Sequence, residues 1–320
     1  MTVMKTALTL TRAALLSIPI VGLAGAALAS HCVPSEWGPD DEIGAANRIT
    51  LASVLEAIKL VKTGKVYSLG ITIDSKTPAF PPRSMSLQIV QPGQVEGRRP
   101  FPNGLTYNDD VWQGWFGIGP QIDGFGHVGH EGVYYNCNKA TDFVNISGIT
   151  KLGMEKLPPI VARGVLLDMA AHFGVKNLEG GQKFTAADVQ AAAMNQGVEI
   201  REGDVVIFHT GWVEHVLPTD PKTWGSSEPG MAEDVAVYMA SKKVIAVGAD
   251  TWGVDVIPPD KEGRPFQGHI TLLVENGIYL LESMDTGPLA ADKAYEFLFV
   301  LGQAKIRGAV QMIINPVAIR

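Results

Sequence analysis

Apolar and polar positions follow two different periods along this chain. Leu51, Val54, Leu55, Ile58 and Val61 recur at helical spacing, with Thr50 placed to cap them and Gly64 to stop them. Residues 66–73 alternate instead with the period of a strand. Residues 75–110 are rich in Pro, Gly and Asn and predict long irregular loops, a common home for binding groups. Thr185 caps a second predicted helix that runs to Gln196 and ends at Gly197. Apolar runs at 204–209 and 244–248 predict buried strands, with a helix over 231–242 between them. A further helix near 269–276 precedes core strands at 278–281 and 296–301. Strands and helices mix without strict β-α-β alternation, and there is no internal repeat or low-complexity linker. The pattern predicts one domain of the α/β class, built on a mixed sheet.

Ahead of these elements the pattern changes. Lys5 and Arg12 carry the only charges of the first twelve residues. An apolar run follows from Ala13 to Ala24, and Ala27-Leu28-Ala29 offers small residues where signal peptidase cuts. The run is marginal against the roughly 20 residues of a membrane-spanning helix. A signal peptide over 1–29, cleaved after Ala29, is therefore expected, leaving a domain of 30–320 that is periplasmic or secreted. His31 stands where a lipoprotein signal needs a small residue, which excludes that anchor.

Composition adds exclusions. The net charge is −7 and no block of Lys or Arg occurs, which argues against nucleic acid or an anionic membrane as partner. Only two cysteines occur, Cys32 and Cys137, too few for a four-thiolate zinc site. In an oxidising compartment they are candidates for a disulfide, with two incidental thiols as the plain alternative.

The densest polar cluster lies between Gly119 and His130. On a strand, Gln121, Asp123 and Phe125 would share one face, with His127 following. Taken alone, an Asp and a His four apart in a glycine-rich turn are more often structural. The second cluster is His269, with Glu282 returning beside it across a turn at Gly277. Together they offer carboxylate, amide and imidazole donors, a mixture that suits Zn²⁺ or Mn²⁺. Such an ion would lower the pKa of a bound water and polarise a carbonyl, with His127 carrying the proton. Other chemistries lack their motifs: there is no Gly-x-Ser-x-Gly elbow, no P-loop and no dinucleotide fingerprint.

These residues carry a resemblance. Gly117-x-Gly119-Pro120-Gln121-x-Asp123-x-Phe125-x-His127 resembles the cyclase-family signature His-x-Gly-Thr-His-x-Asp-x-Pro-x-His. Residues 37–44, 203–212 and 248–253, His269-x-x-Leu272-Leu273 with Gly277 and Glu282, and residues 295–299 and 315–319 are similar to further family segments. The resemblance spans nearly the whole chain after the signal and is to the kynurenine formamidase-like and isatin hydrolase-like members. It implies a swivelling β/β/α fold, homodimers or homotetramers, and metal-dependent hydrolysis of a small-molecule amide, formamide or lactam. It implies Asp123, His269 and Glu282 as metal ligands and His127 as general base and acid.

Two positions depart from the signature. Gly117 and Gln121 stand where the family has metal-binding histidines, as in a subgroup that also carries Gly129-His130 and Tyr134-Tyr135-Asn136. Gly117 has no side chain to ligate with. Gln121 offers an amide oxygen, and His130 and His209 are the reserve imidazoles. Phe125, Trp115 and Trp252 are the expected substrate-binding aromatics, with Trp112 beside them. Two alternatives stay open: a lactonase or cyclase acting on an oxygen ring, and a periplasmic small-molecule binding protein with a degenerate site.

Overall fold

The structure is a computed structural model that describes residues 32–90, 97 and 101–320; the signal expected over 1–29 lies outside these residues. Nine strands form one mixed sheet: β1 (Val66–Ser68), β2 (Gln121–Asp123), β3 (Ile160–Asp168), β4 (Val205–His209), β5 (Ala246–Ala249), β6 (Tyr279–Glu282), β7 (Glu296–Leu301), β8 (Gln311–Ile313) and β9 (Val317–Ile319). Their order across the sheet is β1-β9-β7-β3-β4-β5-β6-β2-β8. β3, β4, β5 and β6 run parallel to one another, and the pairs outside them are antiparallel. The chemistry of the parallel strands explains their place. Val205-Val206-Ile207-Phe208 and Leu280-Leu281 are apolar on both faces, and every residue of β4, β5 and β6 is buried, as parallel strands covered by helices must be.

Three helices recover the sequence pattern: α1 (Leu51–Ile58), α2 (Ala186–Gln196) and α3 (Glu233–Ser241). α1 and α2 both open with a capping box, Thr50 with Ser53 and Thr185 with Asp188, and Gly197 closes α2 at φ 70°. α2 buries Val189, Ala192 and Ala193, and α3 buries Val235, Ala236 and Met239.

Four elements depart locally from the sequence pattern. α1 forms where expected, but Leu51, Leu55 and Ile58 are exposed; the helix settles against β3 on its small residue Ala57. The strand expected over 66–73 stops at Ser68, because its partner strand is preceded by Pro316, which accepts from Leu69 N at 2.9 Å but has no N–H to return. Within 75–110, expected as loop, Met85–Val90 pairs with Asp109–Gly114 in an antiparallel ribbon. The helix near 269–276 begins at Gln267–His269 and widens into a π-helix over Ile270–Glu275, an irregularity common at functional sites. Cys32 and Cys137 form a disulfide across a sequence separation of 105. Among the described residues no helix is long and apolar enough to cross a membrane.

Candidate metal centre

The site is assembled by register. β2 lies between β6 and β8, with Gln121 opposite Glu282 and Asp123 opposite Gln311. Directly opposed residues share a face, so four polar side chains converge on one patch of an otherwise apolar sheet. His269 reaches the same patch from the helix that precedes β6. One donor atom from each of Asp123, His269 and Glu282 lies within 4.8 Å of the other two, and all three residues are buried. His269 Nε2 is 3.2 Å from Glu282 Oε1 and 3.7 Å from Asp123 Oδ2.

The surroundings aim these donors. His269 Nδ1 is held at 2.6 Å by Asp255, whose carboxylate also accepts from Gly268 N at 3.0 Å. That grip needs a glycine, since a β-carbon on Gly268 would fall 2.4 Å from Asp255 Oδ1. An imidazole tied at Nδ1 to a carboxylate presents Nε2 with a fixed direction, the arrangement of a metal-binding histidine. Gln311 Nε2 donates to Asp123 Oδ1 at 2.7 Å, whereas Asp123 Oδ2 is buried with no hydrogen-bond partner among the described residues. Gln121 turns its amide nitrogen toward Glu282 and Asp123. In this arrangement it serves them as a donor and does not offer the oxygen expected of a ligand. A further carboxylate, Glu228, is fully buried and accepts from Trp252 N at 2.6 Å and Gly253 N at 3.1 Å.

Carboxylates thus outnumber cations. Burial and the neighbouring Asp123 raise Glu282 to about 7. Burial, then the charge of Glu282, pushes Glu228 well above the ordinary range. Burial works against a charged His269, but hydrogen bonds to Asp255 and Glu282 outweigh it and raise the imidazole to about 10. The orphaned Asp123 oxygen, the aimed Nε2 and the surplus of carboxylates fit a divalent cation. Asp123, His269 and Glu282 are the residues that would hold it.

A cavity of about 370 Å³ opens over this trio, lined by His127, Arg83, Trp252, Phe80 and Phe266 among others. His127 Nε2 lies 3.7 Å from Asp123 Oδ2. It arrives there by a turn, its N–H bonded to Gly124 O at 3.0 Å, because β2 ends at Asp123. Burial lowers its pKa despite the attraction of Asp123, so the ring is neutral at neutral pH. The same early end of β2 explains Phe125, which leaves the expected face. It sits in the core with its ring 4.3 Å from Tyr279 and 4.6 Å from Tyr135, not at the cavity. Trp115 is 47% exposed and does not line the cavity; Trp252 does. The reserve histidines stay apart from the trio: His209 Nδ1 bonds Thr286 Oγ1 at 2.7 Å, and His130 forms a bridge with Val133.

Sequence reasoning missed Asp255, Gln311, Glu228, Arg83, Phe80 and Phe266. Asp255 lay two residues beyond a segment already singled out, and only the approach to Gly268 marks it. Val254, Phe266 and Ser283, each beside a site residue, take left-handed backbone with φ of 57°, 55° and 54°. Such conformations cost about 1–3 kcal/mol each and gather where side chains must be aimed.

Fold and site together define a mixed-sheet α/β protein with a buried carboxylate and imidazole cluster suited to a divalent cation. The family model for Cyclase, described as "Putative cyclase", matches residues 67–256, more than half of the chain. The chain belongs to the cyclase family. Among solved structures it is similar to a novel cyclase at 29% identity, with a TM-score of 0.79 over 89% of this chain and 98% of that one. An isatin hydrolase bound to the product analogue thioisatinate shares the fold at 16% identity and TM-score 0.58, over 84% of this chain and 98% of its own. A predicted metal-dependent hydrolase from Bacillus stearothermophilus does so at 18% identity and TM-score 0.52, over 80% and 98%. No curated protein gives a significant match.

Proposed function

We propose that the protein is a metal-dependent hydrolase of a small-molecule amide, formamide or lactam. The observation that carries this is the convergence of Asp123, His269 and Glu282, with His269 and Glu282 reaching the cavity lining and a neutral His127 in its wall. A divalent cation such as Zn²⁺ or Mn²⁺ supplies Lewis-acid polarisation of a carbonyl and an acidified water when bound. His127 Nε2 accepts the proton of the water that attacks the scissile carbonyl and returns it to the leaving nitrogen. Gln121 and Gln311 hold the two carboxylates in place, and Asp255 holds His269 in one tautomer. Trp252, Phe80 and Phe266 give the substrate apolar walls.

The N-terminal pattern and the Cys32–Cys137 disulfide support export to the periplasm or beyond, where such bonds persist. The exposed Leu51, Leu55 and Ile58 support self-association as a dimer or tetramer.

The test is metal analysis of the purified protein followed by a screen of formamides, lactams and lactones. Cleavage of a carbon–nitrogen bond that chelation abolishes is the expected result. Turnover of lactones alone would shift the assignment to a lactonase. Tight ligand binding with no turnover in the metal-loaded protein would make it a binding protein.

A further inference from the structure

Gly117 and Arg83 are made for one another. A β-carbon on Gly117 would lie 2.5 Å from Arg83 Nη1 and 2.6 Å from Cζ, so any side chain there must push the guanidinium aside. Arg83 Nη1 donates to the Gly117 carbonyl at 2.8 Å, a bond that occupies one of the five N–H donors a guanidinium carries. Arg83 also lines the cavity over the metal trio. Phe80 stands beside it, with the guanidinium carbon 5.9 Å from the ring centroid. Phe80 in turn lies 5.6 Å from Trp252 and 6.2 Å from Phe266, so one cation faces into an aromatic enclosure. The hydrolytic steps above assign Arg83 no part.

We propose that Arg83, seated by the missing side chain at Gly117, anchors a carboxylate of the substrate. The substrate class is then a small acid with an aromatic or otherwise apolar body. Three features lead there. A guanidinium offers a planar fork that matches a carboxylate in two parallel hydrogen bonds. An anion entering this cavity meets Glu282 in its lining, with Asp123 buried behind it, and a fixed cation at the wall offsets that repulsion. A volume of about 370 Å³ suits a small ligand whose apolar body lies against Phe80, Trp252 and Phe266. The inference rests on this cavity being the reaction chamber, and its test needs no turnover.

The probes are benzoate and its neutral isostere benzamide, titrated calorimetrically into the metal-loaded protein, with metal content measured on every sample. The wild type binds benzoate more tightly than benzamide by about tenfold or more. Arg83→Gln loses that preference with its metal content unchanged. Arg83→Lys keeps part of it, and Gly117→Ala, which displaces the guanidinium without deleting it, weakens benzoate and spares benzamide. A preference that survives Arg83→Gln belongs to the bound cation and overturns the proposal. So does equal binding of the two probes, or no measurable benzoate binding to the wild type. Arg83-dependent benzoate binding by a protein that cleaves no amide would refute the hydrolase assignment and leave the anchor standing.

Discussion

Asp255→Asn perturbs the metal centre without touching a ligand. The Asp255 carboxylate accepts from His269 Nδ1 at 2.6 Å, Gly268 N at 3.0 Å and His269 N at 3.2 Å. An asparagine has one oxygen for these three donors and turns an NH₂ toward at least one of them. Two effects follow. The imidazole loses the group that fixes its direction, which typically costs 10–100-fold in metal affinity. It also loses the main partner that raises it from 6.5 to about 10, a preference for imidazolium on the order of 5 kcal/mol. A cation must displace that proton, so in the wild type log affinity climbs about one unit per pH unit between 7 and 9. Below 7 the climb is steeper, because Glu282, at about 7, must also lose its proton. In Asp255→Asn the climb above pH 7 flattens, so its affinity relative to that of the wild type falls as pH rises from 7 to 9. Competition titrations of Mn²⁺ against a chelating dye between pH 6 and 9 read both quantities. Parallel pH profiles for the two proteins would refute the assignment of Asp255 as the group that orients and charges His269.

Gly268→Ala puts a β-carbon against Asp255 Oδ1 and should release His269, lowering metal content and activity together by about 10–100-fold; metal analysis and turnover check this. Glu228→Gln tests a buried acid. Its folded pKa is raised, so its stabilising contribution is full below the ordinary carboxylate range and is lost as pH rises through the raised value. Melting curves from pH 5 to 9 should show the wild type losing stability relative to the Gln variant as pH rises. Cys137→Ser opens a loop with a sequence separation of 105 and should destabilise the fold by about 2–5 kcal/mol in urea titrations.

How much of this was legible in the sequence depends on what each residue answers to. Thr185, Asp188 and Gly197 act on their own neighbours, and the helix between them ends where they say. Val205 to Phe208 are apolar on both faces, and only a buried strand accommodates that. The faces of α1 and of β2 were misjudged because tertiary partners decide them. Ala57, a small residue outside the expected apolar stripe, is the residue that packs. Phe125 left the face of Asp123 when the strand stopped. In the site, Asp123, His269 and Glu282 were visible because their donor types match one chemistry and one family pattern. Gln311 and Asp255 were not, since each acts through a cross-strand or loop contact that no local spacing records. Arg83 was hidden most completely: only the empty place at Gly117 reveals it.

The metal content of three purified proteins tests the central claim most directly: wild type, Asp123→Ala and His127→Ala, each loaded with the same divalent ion and dialysed, with turnover measured on the same samples. The wild type and His127→Ala should retain about one ion per chain, the coordination capacity of a single three-residue centre. Asp123→Ala should lose ion and activity together. His127→Ala should lose about 10²–10⁴-fold in turnover while keeping its metal, as expected for a general base. Metal retained by Asp123→Ala would contradict the trio as the metal centre. A His127→Ala protein purified without metal would move His127 from the proton path into the coordination shell.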